Sequence, residues 1–229
     1  MADRALSGGP HGAAGVDAPR VTRLNLFATP LMIVTLPDAQ AVNAELKRIV
    51  LAREAASAAA QRSNHSGWQS PWDMHQWGGA PLQRVLAFVL AIVEQLTVDR
   101  AGNRHQIAWR ISCRANVNRQ GHSNQFHTHP GALWSATYYV DDGGAAADSS
   151  LGGEFEVQDP RGVATVMYVP YLTFAGEDGA ALGEAHRLRP QAGTALVFPS
   201  WLSHGVRPYR GARERISIAI NFSLANVPP

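Results

Sequence analysis

Cysteine is nearly missing from this chain. Cys113 is the single one among 229 residues, so neither a disulfide framework nor a zinc site built on thiolates can form within it. Its setting, IAWRISC, leans apolar and suits a buried, inert thiol. Charge is scarce too: 17% of residues are charged, and 20 Lys and Arg against 18 Asp and Glu leave a net charge of +2. No Lys/Arg run forms a nucleic-acid footprint, and the lack of a Cys ligand argues equally against a nucleobase deaminase. No stretch reaches the ~18 to 20 uninterrupted apolar residues that a membrane span needs. The opening residues, MADRALSGGPHGAAGVDAPR, are rich in Gly, Ala and Pro and lack the apolar core of a signal sequence. Residues 1–20 are therefore expected to be a disordered tail of a cytoplasmic protein, with neither nucleic acid nor membrane as a partner.

What is present suits one core. At 45% hydrophobic the chain can form a single domain over residues 21–229, and no internal repeat suggests a solenoid. A helical part is expected over 21–104. A strand around Thr29–Pro30 leads to a helix capped by Asp38, with Val42, Leu46, Ile49 and Val50 as its apolar stripe. SNHSGWQSPWDMHQWGG reads as neither helix nor strand. Residues 81–98 form the strongest helix, with Pro81 in its first turn and Leu82, Val85, Leu86, Val89, Ile92, Val93 and Leu96 on one side. From residue 105 to 225 the period changes to alternation: HQIAWRISCRANVNR, ALWSATYYVDD, GEFEVQD, ATVMYVPYLTF, ALVFPS and RISIAINFSL. The fold class is thus α+β, mainly β: an antiparallel sandwich or jelly roll with flanking N-terminal helices. Those helices could also carry a homodimer interface.

The chemistry begins at FHTHPG. On a regular strand His127 and His129 share a face, so two imidazoles can converge on one point. Read alone, such a pair is a metal half-site or a polar surface patch. His204 follows a strand ending in Phe198–Pro199, and Arg215 begins the next β-rich run, with Ser217 two positions on. Ile216, Ile218 and Ile220 claim one face of that run, leaving Arg215, Ser217 and Ala219 on the other. A pocket could then hold a metal on three side chains with Arg215 deeper, where its planar fork suits a carboxylate.

This arrangement resembles the iron(II)- and 2-oxoglutarate-dependent dioxygenases, whose double-stranded β-helix carries an HxD/E…H metal triad and an Arg-x-Ser for the cosubstrate. More narrowly, LFATPL, SNHSGWQS, NQFHTHPGALWSATYYV, GGEFEVQDPR, GTALVFPSWLSHGV and RISIAINF are similar to a bacterial group of 2-oxoglutarate/Fe(II) oxygenases. The resemblance covers roughly residues 24–223 and is most specific from 124 onward. It implies Fe(II), 2-oxoglutarate and O₂ as cofactors. His127 and His204 match the histidine ligands, and Arg215 and Ser217 match the Arg-x-Ser. His129 stands where the carboxylate is expected; a third neutral imidazole there raises the charge of the site by one unit. Either His127, His129 and His204 are the ligands, or His129 supports them and Glu154, Glu156 or Asp159 supplies the carboxylate. The implied reaction is hydroxylation of a small molecule, amino acid or peptide, with release of succinate and CO₂.

Several residues stay open in the sequence. Trp68, Trp72 and Trp77 form a lid or pack on the core. Asn116, Asn118, Asn124 and Gln125 orient the ligands, bind the cosubstrate, or face solvent. One of Tyr138 and Tyr139 faces the pocket. His65, His75, His105, His122 and His186 read as surface or packing residues. Two rival functions remain: a three-histidine, cupin-type metal dioxygenase that needs no 2-oxoglutarate, and a non-catalytic jelly-roll binding protein.

Overall fold

The computed structural model describes residues 28–57, 64–65, 67–162, 169, 171–176, 179, 181–183 and 185–225. The expected tail over 1–20, and much of the strand expected over 164–174, lie outside them. The first strand, β1 (Met32–Thr35), is shorter than its apolar run and begins only after Pro30. Helix α1 (Ala39–Ala56) buries Val42, Leu46 and Val50, while Ile49 is half-exposed. Asp38 stands at its N-cap position, but at φ 52 its side chain makes no capping hydrogen bond. The segment expected to be irregular contains β2 (Asn64–His65), β3 (Trp68–Gln69) and the single-turn α2 (Met74–Trp77). Strands this short carry no periodicity, so their pairing is invisible in the sequence. Helix α3 (Gly79–Leu96) starts before Pro81 and buries Leu82, Val85, Leu86, Val89 and Val93. Its length and composition would allow it to cross a membrane, but here that face lies in the core.

The β-rich part follows as β4 (Trp109–Asn118), β5 (Ser123–His127), β6 (Trp134–Asp141), β7 (Phe155–Gln158), β8 (Ala185–Leu188), β9 (Thr194–Pro199), β10 (His204–Val206) and β11 (Arg215–Leu224). They form two antiparallel sheets. One has the order β1-β9-β6-β11-β4-β3, the other β2-β5-β10-β7-β8. This is the double-stranded β-helix, a jelly roll with its helices on one side.

Alternation on β11 organises the whole. Ile216, Ile218, Ile220 and Phe222 point one way and are fully buried with Cys113, Ala115, Val117, Ala136 and Tyr138 beneath α1 and α3. Each of the buried Ile, Val and Phe side chains contributes ~1.5–3 kcal/mol of burial, and together they fix the register. The opposite face therefore presents Arg215, Ser217, Ala219 and Asn221 to the second sheet. A polar set that a core would reject is tolerated there because it lines a site. Cys113 sits on the helix side, and burial pushes its thiol up to about 11, as expected of an inert cysteine.

Candidate active site

His127 and His204 are register partners on the paired strands β5 and β10. Gly205 makes this approach feasible, since a Cβ there would lie 2.9 Å from the carbonyl of Asn124. His129 reaches the same point by a different route from the one expected. Strand β5 ends at His127, so simple strand alternation does not aim the second imidazole. Instead the His129 N–H donates to Ser200 O at 2.9 Å, and Gly131 at φ 86 turns the chain just after it. The ligand nitrogens of all three histidines lie within 4.8 Å of one another.

The rings are held and neutral. Nδ1 of His127 lies 2.7 Å from Gln125 O, and Nδ1 of His204 lies 2.8 Å from Leu202 O. A carbonyl only accepts, so both Nδ1 atoms carry the proton and both Nε2 atoms keep a lone pair. Burial, reinforced by the neighbouring His204 and His127 rings and by Arg114, holds His129 down at about 3. Burial and then His127 hold His204 at about 4, and burial depresses His127 as well. Three neutral imidazoles converging on one point form the donor set of a transition-metal site.

Beside them, cross-strand register builds polar rows on the inner face of the six-stranded sheet. Gln69, Asn116, Ser217 and Tyr139 stand side by side across β3, β4, β11 and β6. Asn116 Nδ2 donates to Ser217 O at 3.4 Å. One step further along β11, Arg215 stands opposite Asn118, whose amide donates to Asn124 Oδ1 at 3.4 Å. Arg215 is 4% exposed, lies 5.0 Å over the Tyr139 ring, and its Nη2 is buried without a hydrogen-bond partner. Gly153 (φ 74) lets the chain pass close by, because a Cβ there would come 3.4 Å from the Arg215 side chain. Tyr139 is thus the pocket-facing tyrosine; Tyr138 turns to the helix side, where it is buried and donates to Asn43 Oδ1 at 2.6 Å. Free space among these groups is about 40 Å³, so a five-carbon dicarboxylate enters only as the side chains part. A cavity of about 820 Å³ between β1, β7 and β8 shares no lining residue with the site.

The alternative carboxylates lie elsewhere. Glu154 pairs with Arg189 at 3.2 Å, Glu156 with Arg187 at 2.7 Å and Arg207 at 3.3 Å, and Asp159 with Arg161 at 2.6 Å. Of the three tryptophans only Trp72 meets the site, edge-on to His129 at 6.0 Å and under the Arg114 guanidinium at 4.5 Å. Trp68 packs in the core, and Trp77 donates to Asp73 at 2.9 Å. His105 pairs with Asp99, and His122 accepts from the Arg119 N–H. Five lining residues escaped the sequence reading: Gln69, Arg114, Thr137, Phe155 and Val206. Arg114 was legible, since it alternates with Asn116 and Asn118. Gln69 gave no signal: it is fully buried with both ends of its amide unpartnered, and only its register with Asn116 reveals it.

A family profile described as "Putative 2OG-Fe(II) oxygenase" matches residues 112–221, the span that holds the three histidines, Arg215 and Ser217. No curated protein sequence matches the chain. Among solved structures, a prolyl hydroxylase from Trichoplax adhaerens, in complex with a hypoxia inducible factor peptide, is similar in fold. It has a TM-score of 0.60 at 14% identity, over 84% of this chain and 83% of that one. A Pseudomonas putida prolyl-4-hydroxylase gives 0.57 at 18% identity, over 88% and 96%. HygX from Streptomyces hygroscopicus, with nickel and 2-oxoglutarate bound, gives 0.58 at 13% identity, over 86% and 83%. The profile on the histidine-bearing strands and the two-sheet order around them make residues 112–221 similar to the 2OG-Fe(II) oxygenases, whose double-stranded β-helix the chain shares.

Proposed function

We propose that this oxygenase hydroxylates an unactivated C–H bond of a small molecule, amino acid or peptide, releasing succinate and CO₂. In this reading His127, His129 and His204 hold Fe(II), and Arg215 with Ser217 grips the far carboxylate of 2-oxoglutarate. Strands β4 to β11 form the catalytic core, and α1 and α3 cover its outer sheet. The observation that carries the reading is Arg215: a buried cation whose Nη2 lacks a partner, in the pocket row next to three neutral imidazoles. A buried donor left unsatisfied costs about 1–3 kcal/mol, and a carboxylate placed against Nη2 relieves that cost.

The residues present fit the implied groups. Imidazole suits Fe(II), and His127, His129 and His204 would hold the ion while leaving room in its coordination for the cosubstrate and O₂. When bound, the iron and 2-oxoglutarate supply the oxidising chemistry; the protein supplies position and exclusion of water. Asn116 steadies Ser217, and Asn118 and Asn124 brace the strand end opposite Arg215. Tyr139 covers the guanidinium, and burial raises its phenol, with Arg215 pulling the other way, so it stays a neutral donor. Trp72, edge-on to His129 and stacked under Arg114, stands beside the histidines where substrate would approach. Two neighbours in fold, a prolyl hydroxylase in complex with a peptide fragment and a prolyl-4-hydroxylase, make peptides and amino acids the first substrates to assay.

A three-histidine dioxygenase without a cosubstrate would use the same imidazoles, but it leaves Arg215 with no task. The test is succinate formation from 2-oxoglutarate by the Fe(II)-loaded protein, compared with Arg215→Met. Turnover that survives this substitution overturns the cosubstrate assignment.

A further inference from the structure

His129 differs from the other two histidines in what faces its second nitrogen. Backbone carbonyls fix His127 and His204 with the proton on Nδ1. Nδ1 of His129 instead lies 3.3 Å from the side-chain amide of Asn221, the residue two positions beyond Ala219 on the pocket face of β11. The far end of that amide meets Ser135 Oγ at 2.8 Å, and Asn221 and Ser135 are register partners across β11 and β6. A carboxamide has a donor end and an acceptor end, and a hydroxyl can donate or accept. The chain Ser135–Asn221–His129 therefore has two self-consistent arrangements. With the amide nitrogen toward His129, Nδ1 accepts and the imidazole proton sits on Nε2. With the amide turned over, Nδ1–H donates to Oδ1, the amide N–H donates to Ser135, and Nε2 keeps its lone pair. Amide orientation is assigned from the network rather than seen, so the two differ only by this turn.

Only the second arrangement leaves Nε2 of His129 able to join the other two. We propose that Asn221, backed by Ser135, is the positioning residue that makes His129 a metal ligand, its amide oxygen taking the Nδ1 proton. This is what allows histidine to work at the position where the family resemblance expects a carboxylate. A carboxylate needs no tautomer set for it, whereas an imidazole does. The inference rests on the reading of His129 as a ligand.

The test uses zinc binding and histidine nitrogen NMR on the whole protein, neither of which requires turnover. In the zinc-loaded protein the His129 proton is expected on Nδ1. Asn221→Leu is expected to weaken zinc binding by about 10–100-fold, the usual effect of losing such an outer partner. Asn221→Asp, which can only accept, should bind zinc at least as tightly as the unaltered protein, and Ser135→Ala should fall between. Circular dichroism shows whether each variant is folded, and Asn221→Asp keeps the test open if the leucine variant is not. Zinc binding undiminished in a folded Asn221→Leu, or equally weak in Asn221→Asp, overturns the proposal. A protein that binds zinc as described yet never consumes 2-oxoglutarate defeats the oxygenase reading and leaves this inference standing.

Discussion

His127 and His204 face each other as register partners across β5 and β10, their ring centroids 4.5 Å apart. The backbone ladder, not a flexible loop, sets this spacing, and each ring is further tied to a carbonyl two residues before it. Removing either imidazole should leave the fold intact and destroy the metal site. His204→Ala and His127→Ala are expected to lose iron by more than the about 10–100-fold typical of an outer-shell change. Equilibrium dialysis with Fe(II) checks this, and full iron loading of His204→Ala would contradict it.

The third position separates two ligand sets. His129→Asp restores the carboxylate seen across the superfamily and is expected to keep iron and 2-oxoglutarate turnover, while His129→Ala loses both. Glu154→Gln and Glu156→Gln should leave iron affinity unchanged, because both carboxylates are engaged by arginines away from the cluster. Iron loss in either glutamine variant would move the third ligand to β7.

Acid should weaken the protein through the same histidines. Their pKa values in the folded chain lie below the ordinary 6.5, at about 3 for His129 and about 4 for His204, through burial first. The unfolded chain therefore binds more protons in that window, and stability rises with pH across it. Stability is full above about 6.5 and falls as pH drops toward 4 and then 3. Metal binding, which needs neutral imidazole, should fall in the same direction. Thermal unfolding of the metal-free protein between pH 7 and pH 4 reads the effect; His129→Ala should flatten it.

The helix layer makes a separate claim. Ile218 is fully buried between the sheet and α1 and α3. Ile218→Ala should cost ~2–5 kcal/mol of stability by urea unfolding. At low temperature the folded variant should retain iron binding, since its neighbours Ser217 and Ala219 face the site on the other side.

Much of this was readable in the residues. The alternation of Ile216, Ile218 and Ile220 separated core from pocket and put Arg215 with Ser217. The spacing of His127 and His129, joined by His204, anticipated the cluster, although the turn after β5 rather than strand geometry delivers His129. The sequence hid whatever depends on register between short distant strands. Gln69 enters the site only because two residues of β3 pair with β4, and Asn221 meets His129 only through the fold. Tyr139 could be told from Tyr138 once β6 was set against β11, not before. The three tryptophans looked alike, and packing alone picked out Trp72.

The central claim is that Arg215 holds 2-oxoglutarate while the three histidines hold iron. Anaerobic titration of the Fe(II)-loaded protein with 2-oxoglutarate tests it most directly, through the weak visible charge-transfer band of a chelated complex. The band is expected in the unaltered protein and absent in Arg215→Met, which should still bind iron. Iron bound with no band at saturating 2-oxoglutarate, or an equal band in Arg215→Met, would contradict the claim.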